Sequence, residues 1–98
     1  MAFTLRQLQF FVAAAEQGSV SGAARMLSIS QSSVTEAIRA LEDDLGVTLF
    51  ERQARGLEIT HKGSAFLRHA RQILSDVAGA RQAFRDEAEQ ATGRLSLG

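Results

Sequence analysis

A run of small polar residues opens one of the helices that the sequence predicts, and it offers the clearest chemistry in the chain. Gln31, Ser32 and Ser33 fall in the first turn, where backbone N–H groups have no partner within the helix and favour an anion such as a phosphate. Thr35 lies on the shoulder of the same face. A glutamine can bond adenine in two places, and a serine or threonine hydroxyl can bond a base or a phosphate. Taken alone, such a face is more typical of a solvated surface.

Two arginines flank a predicted hairpin further along the chain. The short extended runs LFER and LEIT lie on either side of Gln53-Ala54-Arg55-Gly56, which indicates a hairpin closed by Gly56. Arg52 and Arg55 would lie near its tip, from which an arginine can enter the minor groove of DNA. The common alternative is a pair of charges that only keeps an edge hairpin soluble.

Catalytic and metal chemistry find no support in the sequence. His61 and His69 are the only histidines, and no third ligand is in register with them. The chain has no cysteine, which excludes disulfides, thiolate nucleophiles and cysteine-bound zinc. The acidic runs Glu42-Asp43-Asp44 and Asp86-Glu87 are interpreted as solvated helix faces. We expect no enzyme activity, no metal and no cofactor.

Overall charge does not point to a polyanion as partner. Eleven basic residues balance eleven acidic ones in 98 residues, whereas a nucleic-acid binder usually has a basic excess. The argument for such a partner therefore depends on how the residues are arranged. The longest apolar run, Phe10 to Ala15, is far too short to span a membrane, so we expect no membrane partner. We expect a cytoplasmic location, with which the absence of cysteine is compatible.

Three helices are predicted ahead of the hairpin. A capping box formed by Thr4 and Gln7 begins the first helix, and the tight connector 28–30 joins the second to the third. The predicted N-caps are Thr4, Ser21 and Ser30, and the helices end near Gly18, Leu27 and Gly46. The core is predicted to contain Leu8, Phe11, Val12, Val34, Ile38, Leu41 and Leu45, with Phe50 and Ile59 anchoring the hairpin. Two helices joined by so short a turn, followed by a hairpin, predict a mainly α winged helix-turn-helix.

A long final helix, capped by Thr60 and reaching about Ala91, completes the prediction. Its apolar positions recur at heptad spacing, namely Phe66, Ala70, Ile73, Val77, Ala80 and Phe84. At about 45 Å the helix exceeds what the small domain can cover, so its seam predicts a homodimer. Gly93 should break the helix, and RLSLG alternates like the start of a strand. The predicted organisation is therefore a winged helix-turn-helix over 1–60, a linker and dimerisation helix over 61–91, and the start of a further domain over 92–98.

The run LRQLQFFVAAAEQGSVSGAARMLSISQSSVTEAIRALEDDLGVTLFER, followed by GLEITHKG, closely resembles the N-terminal domain of LysR-type transcriptional regulators. The resemblance extends from Leu5 to about Phe84. It implies binding to double-stranded promoter DNA as a dimer through paired linker helices, with tetramers common in the full protein. It also implies a C-terminal domain, beginning near RLSLG, that binds a small-molecule coinducer.

The resemblance also implies roles for individual residues. Gln31, Ser33 and Thr35 match positions of the recognition helix, 31–45, that face the major groove, and Arg55 matches the wing residue that enters the minor groove. Ser21, Ser30 and Arg39 match contacts to the DNA backbone. The candidate DNA-binding residues are therefore Ser21, Ser30, Gln31, Ser32, Ser33, Thr35, Glu36, Arg39, Arg52 and Arg55.

Two positions depart from the family pattern. Ser32 stands where the family usually has proline, and Glu36 stands where a basic residue is usual. Glu36 could accept a hydrogen bond from a cytosine amino group. Alternatively, it could form an ion pair with Arg39 that only stabilises the helix surface slightly, and we favour this second interpretation. The main alternative function is a protein-interaction winged helix that docks through the long helix. The neutral charge of the chain is compatible with that function.

Overall fold

The computed structural model describes the backbone of residues 3–97 and the side chains of residues 3–87. Four helices and one hairpin follow one another along the chain. They are α1 (Leu5–Gln17), α2 (Val20–Leu27), α3 (Gln31–Leu45), β1 (Phe50–Gln53), β2 (Gly56–Ile59) and α4 (His61–Leu97). The first three helices and the hairpin form a winged helix, with the hairpin as its wing, as the sequence predicts. No helix in the described part of the chain is long and apolar enough to cross a membrane.

Local capping signals set the helix boundaries, and one of them was misassigned. Thr4 and Gln7 form the predicted capping box, and Gly18 ends α1 in the left-handed region at φ 69°. Ser19, and not Ser21, caps α2: its backbone is extended, and its hydroxyl accepts a hydrogen bond from the Gly22 N–H at 2.9 Å. Ser21 lies one residue inside α2 and is exposed. Its predicted capping role is therefore wrong.

An aromatic residue of α1 joins the parts of the core. The Phe11 ring is fully buried and lies 5.3 Å from the Phe50 ring of the wing and 5.4 Å from the Phe66 ring of α4, measured between centroids. Such tilted contacts add to the area that aromatic side chains bury. The remaining buried side chains come mainly from α1, α2 and α3, and they include Leu8, Ala14, Ala23, Val34, Ile38, Leu41 and Leu49.

The first half of α4 belongs to this core. Ala70 is completely buried within its own chain, and Phe66 and Ile73 pack against the same cluster. Arg71 of α4 also pairs with Glu16 of α1 at 3.5 Å. The assignment of Ala70 to a dimer surface is therefore wrong. The side chains of Phe66 and Ile73 are partly buried against the core of their own domain. The heptad spacing was read correctly, but α1 covers the first part of the seam.

The end of α4 also differs from the prediction. The helix continues through Gly93 to Leu97, with neither a break at Gly93 nor a strand over 94–97. A single glycine inside a helix costs only about 1 kcal/mol relative to alanine, so it does not by itself end one. The predicted helix end at about Ala91 is therefore wrong.

Candidate nucleic-acid interface

The first turn of α3 is open to a ligand. Ser30 caps the helix: its hydroxyl accepts from the Ser33 N–H at 3.1 Å and lies 2.9 Å from the Ser33 hydroxyl. Gln31 and Ser32 are exposed, and within residues 3–87 neither side chain hydrogen-bonds to the protein. The cap fixes the turn while two polar side chains and the unpaired N–H groups of a helix N-terminus remain available.

The connector ahead of α3 fixes the angle at which this turn is presented. Ser28 adopts a left-handed conformation, with φ 58°, and the Ile29 N–H donates to the Ala24 carbonyl at 3.0 Å. Ala23 and Ala24 are buried. Their small side chains let α2 pack closely on the core that α3 also contacts.

One helical turn further on, three of the candidate side chains differ in exposure. Thr35 is half-buried, whereas Glu36 and Arg39 are exposed. Among residues 3–87 no ion pair joins Glu36 to Arg39, so the pairing that we favoured from the sequence is not formed. Exposed pairs of this kind gain little free energy, because holding two long side chains together costs entropy.

The wing is attached to the corner between α1 and α2. The Leu57 N–H donates to the Gly18 carbonyl at 3.0 Å. Gly56, at φ 137°, lies so close that a Cβ atom there would be 2.5 Å from the same carbonyl oxygen. Only glycine combines this backbone conformation with this approach. The wing therefore has a fixed position relative to the helices.

A second attachment joins the wing to α3, and it was not predicted from the sequence. A carboxylate oxygen of Glu42 accepts hydrogen bonds from the Leu49 N–H at 2.8 Å and the Phe50 N–H at 3.3 Å. Interpreting Glu42 as part of a solvated face is therefore wrong. The available signal was its place on α3, one turn after Ile38 and beside Leu41, at the edge of the buried face.

The base of the wing is joined to α4 in a similar way. The Thr60 hydroxyl donates to the Thr48 carbonyl at 2.6 Å and accepts from the Gly63 N–H at 2.9 Å. It therefore caps α4, as predicted, and closes the hairpin at the same time. Gly63 is buried against the Leu49 carbonyl, where a Cβ atom would overlap the oxygen.

The candidate arginines fall into two places. Arg55 is exposed in the turn at the tip of the wing, between Gln53 and Gly56. Arg39 and Arg52 line one small cleft between α3 and the wing, together with Thr35. The structure thus brings Thr35, Arg39 and Arg52 together, and it places Arg55 apart from them in the turn of the hairpin. In the described part of the chain, no three His, Cys, Asp or Glu residues are grouped to hold a metal ion.

A second surface lies where α4 leaves the domain. Leu5 of α1 and Leu74 and Val77 of α4 line an open groove, and Leu5 is 43% exposed. Beyond it the Phe84 side chain is 76% exposed, the highest value among the exposed large apolar side chains of residues 3–87. Val77, Ala80 and Phe84 are therefore the part of the predicted seam that the chain's own core leaves uncovered.

Comparison with known proteins agrees with this architecture. The HTH-type transcriptional regulator TfdS of Cupriavidus pinatubonensis is 52% identical over 97 residues, which cover 95% of this chain and 32% of TfdS. The structure of the CbnR_DBD–DNA complex superposes with a TM-score of 0.83 at 44% identity, covering 88% of this chain and 99% of that one. The BenM_DBD/catB site 1 DNA complex gives a TM-score of 0.84 at 35% identity, covering 88% and 97%.

This chain spans about a third of the length of the relatives that it matches along most of its own length. Residues 5–64 match the model of the bacterial regulatory helix-turn-helix proteins of the lysR family, which is more than half of the chain. The capped first turn of α3, the hydrogen-bonded wing and this family match all indicate the same kind of domain. The chain belongs to the lysR family of bacterial regulatory helix-turn-helix proteins, and its winged helix is the DNA-binding domain of that family.

Proposed function

We propose that this chain is the sequence-specific DNA-binding and dimerisation module of a bacterial LysR-type transcriptional regulator. α3 enters the major groove, where Gln31, Ser33 and Thr35 face the bases, and Arg55 of the wing enters the adjacent minor groove. The observation that carries this proposal is the open, capped first turn of α3 beside a wing fixed by hydrogen bonds to two other elements. Solved relatives with this architecture are complexes with DNA.

The neutral overall charge is compatible with this function only through the arrangement of the contact groups, because α3 and the wing together carry three arginines and six acidic residues. Arg39, Arg52 and Arg55 lie on α3 and the wing, and none of them has an ion pair among the described residues. Hydroxyl groups and a helix N-terminus add phosphate contacts that carry no net charge. Net charge therefore underestimates the affinity of this surface for DNA.

The dimer forms through the middle of α4, around Val77, Ala80 and Phe84. These side chains continue the heptad spacing beyond the domain's own core, and Phe84 is exposed. A second copy of α4 buries them in the way that paired helices do in a coiled coil. The groove next to Leu5 extends the same apolar surface onto α1.

In the whole protein, we infer that a C-terminal domain binds a small-molecule coinducer and that the dimers associate into tetramers. The share of its relatives that this chain spans leaves room for such a domain. We infer a cytoplasmic location, where bacterial promoter DNA lies. A regulator of this kind has no enzymatic step.

Fluorescence anisotropy on the DNA upstream of the protein's own gene tests the proposal. We expect preference over a scrambled duplex of the same length, with log K falling against log salt at a slope of about −4 to −6, because a handful of phosphates are neutralised. No binding even at low salt contradicts the proposal and favours a protein-interaction domain instead. Equal affinity for the two duplexes contradicts only the sequence specificity in the proposal and leaves DNA binding itself intact.

A further inference from the structure

Two arginines from different elements line the small cleft between α3 and the wing. Arg39 lines it from α3 and Arg52 from β1, and Ile38, Phe50 and Leu57 give it an apolar floor. Its volume is about 60 Å³. The cleft is small and open to solvent, so a DNA phosphate can approach the arginine side chains that line it.

Strand alternation explains why Arg52 lines this cleft. In the hairpin register Arg52 lies opposite Leu57, and Phe50 lies opposite Ile59. Side chains two residues apart share a face of a strand, so Arg52 lies on the face that Phe50 buries against the core. Glu51 and Glu58 lie opposite each other in the strand register, on the other face of the hairpin. The hairpin thus presents Arg52 on the side of α3, and Glu51 and Glu58 on the opposite side.

The charges inside the cleft are not balanced. Neither Arg39 nor Arg52 forms an ion pair within residues 3–87, and both are exposed. Glu42 also lines the cleft, but its carboxylate accepts the Leu49 and Phe50 N–H groups. A planar guanidinium binds phosphate oxygens through two parallel hydrogen bonds, and an anion between two guanidinium groups interacts favourably with both charges.

We propose that Arg39 and Arg52 together bind a single DNA phosphate. This rests on the proposed function, because a helix in the major groove and a wing in the adjacent minor groove lie on either side of one DNA strand. The backbone of that strand must pass over the junction between α3 and the wing, where the cleft opens. The two arginines therefore act as one phosphate site and set the depth to which both elements enter their grooves.

A double-mutant cycle on the salt dependence tests this. Arg39→Gln, Arg52→Gln and the double variant are titrated on the same duplex from low to physiological salt. If one phosphate is shared, each single variant keeps a slope close to that of the wild type, because the other arginine still neutralises the phosphate. The double variant then loses about 0.9 of the slope. Arg39→Lys and Arg52→Lys keep the charge, so their slopes should stay near the wild-type value.

Two patterns of slopes contradict a shared phosphate. Losses of about 0.9 for each single variant and about 1.8 for the double place the arginines on separate phosphates and overturn the proposal. Unchanged slopes in all three variants overturn it as well. Arg25→Gln, an exposed arginine of α2 outside the cleft, is the matched control, and its effect should add to that of Arg39→Gln. If the wild type itself shows no salt-dependent binding, the proposed function fails, and the shared phosphate fails with it.

Discussion

Glu42 should stabilise the wing much more than its position on an acidic helix end suggests. Its carboxylate accepts the N–H groups of Leu49 and Phe50, and Leu49 is completely buried. A hydrogen bond to a charged group contributes about 1.5–3 kcal/mol, and a buried N–H left without a partner costs a similar amount. The bond at 3.3 Å is long, so we expect Glu42→Ala to lower the free energy of unfolding by about 3 kcal/mol in total.

Thermal and urea unfolding of the 98-residue chain measure this effect. A loss of about 3 kcal/mol corresponds to a fall in Tm of roughly 12–24 °C for a domain of this size. Glu42→Gln keeps a neutral acceptor and should lose only about 1 kcal/mol. Amide hydrogen exchange gives an independent readout, because the Leu49 and Phe50 amides should lose protection in Glu42→Ala before the amides in the middle of α3 do.

Asp43 offers the matched control. It is exposed, it is the next residue on α3, and Asp43→Ala should change the stability by no more than about 0.5 kcal/mol. If Glu42→Ala and Asp43→Ala behave alike, and the Leu49 amide stays protected in both, then the carboxylate does not hold the wing.

Three further predictions concern the wing, the dimer and the base preference. Gly56→Ala puts a Cβ atom 2.5 Å from the Gly18 carbonyl oxygen, so it should displace the wing and weaken DNA binding; Gly79→Ala, with open space around it, should leave affinity unchanged. Equal affinities for these two variants, measured by anisotropy, would show that the wing position does not matter. Val77→Lys should shift the chain from dimer to monomer in sedimentation, whereas the exposed Ser75→Lys on the other side of α4 should not, and a dimeric Val77→Lys would remove the distal seam from the interface. Glu36→Gln, selected on a randomised site, should lose any preference for cytosine if the carboxylate reads a base, and an unchanged preference would exclude that reading.

The sequence predicted those features that depend on a few neighbouring residues. The capping box at Thr4, the cap at Ser30 and the left-handed stops at Gly18 and Gly46 are local, and the structure confirms them. The hairpin is confirmed for the same reason. Ser19 and Ser21 both suited the start of α2, and only the backbone conformation distinguishes them.

The features that were missed depend on contacts between distant parts of the chain. Heptad spacing looks the same whether the seam covers another copy or the chain's own α1, so the burial of Ala70 could not be read from it. Glu42 bonds to backbone groups seven and eight residues away, beyond the end of its own helix. Neither the spacing nor the composition of the sequence reports where those N–H groups lie.

The burial of Phe66 and Ala70 against α1 means that the structural boundary does not fall at residue 60. A chain truncated there would leave Phe11 without one of its ring neighbours, so the domain and the start of α4 must be kept together. Because α4 then leaves the core as one continuous helix over the described residues, the backbone that joins the core to the dimer seam is helical throughout. In a dimer, the distance between the two α3 helices is therefore set by where the two α4 helices cross. One residue inserted between 74 and 77 would rotate everything beyond it by about 100° and change the half-site spacing that the protein can recognise.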